Sequence, residues 1–208
     1  MATDYALMIR NLLSFYDFND KTMIAIGAGG GQFVAYGHAP RRIVAIDQDA
    51  AALDQLRRAV AENGMSGKFE LVQGDFLTMD VPLRGDVVLF DFCLHEMADP
   101  ALALRRAGRL APDVVVFDHG RTSRWTHYVV EEEKVKLAWE AVERLGAARS
   151  KEYSAEHKFR DHAELLAKVR VQGDVALQRI EKFRSQTNIT IPLTYELALV
   201  RFPVRLER

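Results

Sequence analysis

Cysteine is almost missing from this chain: Cys93 stands alone among 208 residues. An intrachain disulfide is therefore excluded, and a reducing, cytoplasmic setting is the expectation. No run approaches the roughly 18 consecutive apolar residues that a membrane span requires. The first residues also lack a basic segment leading into an apolar core, so no signal peptide is read. An excess of one charge is missing too. Lys and Arg number 28 against 29 Asp and Glu, a net charge of -1, which argues against nucleic acid or another polyanion as partner. Internal repeats and low-complexity linkers are absent.

What remains is a chain that is 49% hydrophobic, enough for one domain over residues 1–208 with a full core. Residues 1–18 carry an amphipathic stripe, with Tyr5, Met8, Ile9, Leu12, Leu13 and Tyr16 at helical spacing. From 20 to 118 short apolar runs alternate with helical patterns. The strands are expected at Thr22–Ile26, Ile43–Asp47, Phe69–Gln73, Asp86–Asp91 and Val114–Asp118. Helices are expected at Gly31–Tyr36, at Ala50–Asn63 with Asp49 as cap, and from Asp99-Pro100 onward. Fully apolar strands such as "VVLF" and "VVVF" suit a parallel sheet covered on both faces. The alternation predicts a doubly wound α/β fold.

After Asp118 the rhythm changes. "RTSRWTHYVV" reads as loop, Val130–Leu145 and Asp161–Val171 as helices, and Asp174–Phe183 fits helix or strand. "NITI" and "YELALVRF", on either side of Pro192, read as a hairpin closing the sheet edge. Residues 119–208 would thus supply the substrate side of the molecule.

The most informative stretch is "MIAIGAGGGQFV". Its glycines fall at the carboxyl end of the first strand, where open α/β sheets bind ligands. Glycine is needed where φ is positive or where a β-carbon would collide with a ligand. No Lys-Ser or Lys-Thr follows, which excludes a Walker-type phosphate loop. The dinucleotide pattern G-x-G-x-x-G is met at Gly27 and Gly29 and fails at Gln32; the pattern present is G-x-G-x-G, completed by Gly31. Asp47, ending the second strand, can accept the hydroxyls of a ribose, and Gln48 follows it. In "VQGDFL" the Asp75 carboxylate can accept from an adenine amine, while Phe76 offers an apolar face.

"IAIGAGGGQ", "IVAIDQDAAAL", "VQGDF" and "DVVLFDFCLHEM", in this order, resemble the successive motifs of class I S-adenosylmethionine-dependent methyltransferases. The resemblance covers roughly residues 20 to 118. It implies a Rossmann-like methyltransferase fold: a mostly parallel seven-stranded sheet with an antiparallel C-terminal strand. It also implies that Gly27, Ala28, Gly29 and Gly31 meet the methionine portion of S-adenosyl-L-methionine, Asp47 the ribose, and Asp75 with Phe76 the adenine; Gln48, next to the ribose acid, is expected to border the adenine. One departure stands out. The family usually has an acid two residues before the first glycine, and here that position is Ala25. The cofactor's amino group must then use other acceptors, near Gly27 or Asp91.

Methyl transfer asks mainly for alignment and exclusion of water, because the sulfonium already activates the methyl group. Where a base is needed, His95 and Glu96 after the fourth strand are the first candidates, followed by His119 after the fifth. Trp125, His127 and Tyr128 either line the substrate pocket or simply pack, and Cys93 reads as a buried apolar residue. His95, Glu96, Asp118 and His119 come from different strands without metal-ligand spacing, so no metal site is expected. The leading reading is methyl transfer to a small-molecule acceptor, with the option of a homodimer left open. Two others remain: a nicotinamide-dependent oxidoreductase, disfavoured by Gln32 and "GDF", and a non-catalytic methyltransferase-like binding protein, made thinkable by Ala25.

Overall fold

The computed structural model describes residues 2–80 and 83–203. Met1, 81–82 and 204–208, which fall within the single domain read over 1–208, lie outside the described residues. The first half follows the expected alternation: α1 (Tyr5–Phe15), β1 (Thr22–Ile26), β2 (Arg42–Asp47), α2 (Ala50–Glu62), β3 (Phe69–Gln73), β4 (Val87–Asp91), α3 (Pro100–Leu110) and β5 (Asp113–His119). The second half adds α4 (Arg124–Tyr128), α5 (Glu132–Leu145), β6 (Arg149–Asp161), α6 (His162–Val169), α7 (Asp174–Ile180) and β7 (Thr187–Arg201). Helix starts are set by short polar side chains. Asp49 and Asp99 accept the N–H groups of Ala51 and Leu102 in α2 and α3, satisfying donors that have no partner inside the helix.

The seven strands lie in the order β3-β2-β1-β4-β5-β7-β6. Neighbours from β3 through β5 run parallel, and β7 is antiparallel to both β5 and β6. The chain winds from β1 outward through β2 and β3, then returns to β4 on the other side. The switch point therefore lies between the carboxyl ends of β1 and β4, where the flanking connections part and leave a crevice. Two apolar clusters cover the two faces of the sheet, and β4 is buried along its whole length. That is why its sequence is continuously apolar rather than alternating.

Four expectations change. Gly31–Tyr36 is not an α-helix; the chain turns there and forms only a short 3-10 segment at Val34–His38. "RTSRWTHYVV" is not all loop but contains α4. The ambiguous Asp174–Phe183 is helical, as α7 and a following 3-10 turn. The terminal hairpin is real but differently made. "NITI" and "YELALVR" belong to one strand, β7, with Phe202 just beyond its end, and its hairpin partner is β6, a segment that carried no readable strand signal. Pro192 does not break β7 because β5 pairs only with Tyr195–Arg201. At Pro192 the strand has a neighbour on the β6 side alone, and a proline on such an edge removes no ladder bond. β6 is legible only afterwards: it is an edge strand, charged and exposed along much of its length, which edge strands tolerate.

Candidate functional site

The turn after β1 brings bare backbone to the switch point. Gly27 and Gly29 have φ of +67° and +54°, angles that L side chains rarely adopt. At Gly27 the requirement is double, because an added Cβ would lie 2.3 Å from the Cβ of Cys93. At Gly29 an added Cβ would make only ordinary contacts, with Gly27 O at 3.7 Å and the Gln32 amide beyond it, so the positive φ alone asks for glycine there. β2 pins the turn: Asp47 Oδ2 accepts the Gly29 N–H and Oδ1 the Asp49 N–H, both at 2.9 Å. Each oxygen retains a further lone pair for a hydroxyl in the crevice.

The crevice holds about 390 Å³, and Gly27, Gly29, Asp47 and Gln48 line one side. Asp75, Phe76, Asp91, Phe92 and Glu96 line it further round. Asp75 Oδ1 also accepts the Leu77 N–H at 2.9 Å, which shapes the turn after β3. Phe76 is buried edge-on against Phe90. Asp91 is the unusual member. It is 4% exposed, the Tyr36 hydroxyl donates to it, and its Oδ1 has no partner among the described residues. Burial raises its pKa, the Tyr36 bond opposes this, and the charges of Asp118 and Asp47 add to the rise, leaving it at about 8. A carboxyl in that state gains most from an arriving cation.

A second group of polar side chains lies behind Glu96. His95 Nδ1 is 2.6 Å from Asp118 Oδ1, and the His95 backbone N–H donates to Asp118 Oδ2 at 3.0 Å. On its other side, His95 Nε2 is 3.6 Å from both Glu131 Oε2 and Glu96 Oε1. Burial alone would lower the His95 pKa, but the charge and hydrogen bond of Asp118, helped by Glu131, raise it to about 10. His119 takes the opposite course: burial and the neighbouring His95 charge bring it down to about 4. Its Nδ1 is buried with no partner among the described residues, and its ring lies 5.3 Å from that of His95.

Residues 24–114 match the family model of a methyltransferase domain. That segment contains the glycine turn, Asp47, Asp75, Asp91 and His95. A methyltransferase domain therefore lies over that segment of the chain. Solved structures agree on the fold. A protein of Bacillus halodurans assigned as a methyltransferase is similar at 17% identity and TM-score 0.70, over 97% of this chain and 99% of its own. An S-adenosylmethionine-dependent methyltransferase of Aquifex aeolicus is similar at 17% identity and TM-score 0.59, over 95% and 90%. A Pyrococcus horikoshii protein assigned as an RNA methyltransferase is similar at 16% identity and TM-score 0.56, over 96% and 83%. Among curated protein sequences none matches.

The crevice of this methyltransferase domain fits S-adenosylmethionine as cofactor. The Gly27 and Gly29 backbone lines it without side chains, Asp47 offers acceptor capacity to a ribose, and the Asp91 oxygen that has no partner among the described residues suits a cation. Asp91 thus stands where Ala25, fully buried inside β1, offers no acid. Of the cofactor candidates, Gly27, Gly29, Asp47, Gln48, Asp75, Phe76 and Asp91 line the crevice. Ala28 and Gly31 do not. Ala28 packs into the core, and a Cβ on Gly31 would lie 2.8 Å from Ala59 of α2. Gly31 is therefore glycine for the close seating of helix on turn.

Of the candidates for chemistry, Glu96 borders the crevice, whereas His95 and His119 join the buried group behind it. Trp125 and Tyr128 pack, against Phe159 and Phe183 respectively, and His127 is an exposed partner of Glu132. Cys93 is buried as read, its thiol donating to the Ile26 carbonyl at 3.1 Å. Tyr36 and Glu131 were not legible. Tyr36 was hidden in a supposed helix, and Glu131 sits in the run "EEEK", which looks like any solvated face.

Asp47→Ala removes the acceptor for ribose and also frees the Gly29 N–H. The expected loss in cofactor binding is about 1–3 kcal/mol, of order tenfold in Kd or more. Calorimetry with S-adenosylhomocysteine measures it directly, and an unchanged Kd removes Asp47 from the site.

Proposed function

We propose that the methyl group goes to a small-molecule acceptor bound beside Glu96 and Phe92. The observation that carries this reading is the wall on that side of the crevice. Phe92 lines it, backed by Phe33, stacked on it at 5.3 Å, and by His119 edge-on to it. A concave recess in which an aromatic ring stands beside placed polar groups such as Glu96 suits a small ligand. The near-zero net charge supports the same reading, since phosphate backbones are held by excess Lys and Arg.

S-adenosylmethionine, when bound, supplies an activated methyl group on sulfur. The protein's part is to hold, orient and dry the acceptor. Phe92 sits at φ +52°, a costly conformation for a bulky residue. Packing of its ring against Phe33, Phe117 and His119 holds that conformation, with Asp91 preceding it at the cofactor end. Glu96 presents a carboxylate at the crevice edge, where an acceptor O–H or N–H can donate.

The test supplies cofactor labelled in the methyl group to the purified protein, with either a bacterial metabolite extract or total RNA. Label appearing in a low-mass product supports the proposal. Label in RNA alone overturns the acceptor class, and label in neither fraction overturns transfer to a small molecule.

A further inference from the structure

The sequence spacing points to no metal ligands, yet the fold gathers donor atoms of His95, His119 and Glu131 within 4.8 Å of one another. We propose that these three residues bind a first-row divalent transition-metal ion. Two imidazoles and one carboxylate are a donor set suited to zinc, iron, cobalt or manganese, and ill suited to magnesium or calcium, which prefer oxygen alone. His95 Nε2 and Glu131 Oε2 stand 3.6 Å apart. Two ligands at roughly 2.1 Å from a shared tetrahedral ion are separated by about that much.

The surroundings match a ligand set better than a plain ion pair. Each of two donors is already aimed by an outer partner. Asp118 holds His95 through Nδ1 and leaves Nε2 facing Glu131, while Gln172 Nε2 donates to Glu131 Oε1 at 3.3 Å and leaves Oε2 toward His95. Such carboxylate–histidine and amide–carboxylate contacts orient metal ligands and fix the tautomer. His119 Nδ1 is buried with no partner among the described residues, a condition that an ion pair between His95 and the acids does not explain. The backbone adds a further sign. Val130, a β-branched residue, is held at φ +60°, and this strained link turns Glu131 inward from the start of α5. Three protein ligands leave a coordination position open. Glu96, whose Oε1 lies 3.6 Å from His95 Nε2 while it also lines the crevice, stands on that route.

The experiment titrates the metal-stripped full chain with cobalt(II), followed by visible absorption, and with zinc(II), followed by calorimetry. Neither cofactor nor acceptor is present, so the result is independent of the acceptor reading. One equivalent of tightly bound ion is expected, with the visible bands of low-symmetry cobalt. His119→Gln and Glu131→Gln should each weaken binding tenfold or more. Asp118→Asn, acting through His95, should weaken it roughly 10- to 100-fold, and the exposed His38→Ala should leave it unchanged. Near-UV circular dichroism identifies any variant that has lost its packing. The wild-type stoichiometry decides even if all three buried variants misfold. Absence of stoichiometric binding by the wild type, or undiminished binding in folded His119→Gln and Glu131→Gln, overturns the site.

Discussion

Asp91→Asn should make the protein more stable and a poorer binder of its cofactor. Both effects have one cause. With its pKa raised from 3.8 to about 8 by burial, Asp91 keeps its proton in the folded state through a range where the unfolded chain has released it. The folded state then binds more protons than the unfolded one, so stability falls as pH rises from about 4 to about 8. Asparagine has the same shape, still accepts from Tyr36, and carries no such penalty. At pH 8 the variant should gain a few kcal/mol, roughly 5–10 °C in Tm for a chain of this size. At pH 4 the two proteins should melt nearly together.

Cofactor binding should move the other way. A cationic ligand beside the partnerless Oδ1 favours the carboxylate, so binding near pH 7 should release close to one proton. Calorimetry in buffers of different ionisation enthalpy reads that release, and the variant should lose it. A hydrogen bond to a charged group contributes about 1.5–3 kcal/mol, so the variant's Kd should rise roughly 10- to 100-fold. A variant that melts like the wild type at pH 8 and binds S-adenosylmethionine as well would show that Asp91 neither carries the penalty nor meets the cofactor.

Gly27→Ala should damage the fold and the site together. The left-handed conformation costs an L residue about 1–2 kcal/mol, and an overlap such as that with Cys93 adds about 1–3 kcal/mol. A loss near 3 kcal/mol or more is expected, with Tm lower by roughly 6–12 °C and cofactor binding beyond detection. Two controls separate the causes. Gly64 has φ +69° with nothing within 4 Å of an added Cβ, so Gly64→Ala should show the backbone cost alone. Cys93→Gly in the Gly27→Ala background removes the colliding atom and should restore part of the stability, leaving the φ cost. Equal Tm values for Gly27→Ala and Gly64→Ala would mean that the turn yields and the contact with Cys93 is not tight.

The two halves of the chain differ in how far their sequence could be read. Through β5 each element declares itself locally, because a buried parallel strand must be apolar throughout and a helix between strands must be capped. Beyond β5 the signals weaken. β6 is an edge strand with much of its length in water, so its residues need no apolar alternation. Pro192 looks like a break until β7 is seen to extend past the end of β5. Gly31 reads as a cradle for a ligand, and only the distance to Ala59 shows that it seats α2.

By itself, the sequence determined the strand–helix alternation, the glycine turn, the carboxylates that end β2 and β4, and the one in the turn after β3. These depend on residues close together in the chain, whose backbone angles and burial are written in their types. The tertiary structure alone decided that Asp91 has an oxygen without a partner among the described residues, and that Glu131 turns in from an acidic run to meet His95 and His119. Solvation and charge at a buried group are set by neighbours brought in from distant elements, and no local pattern carries that information.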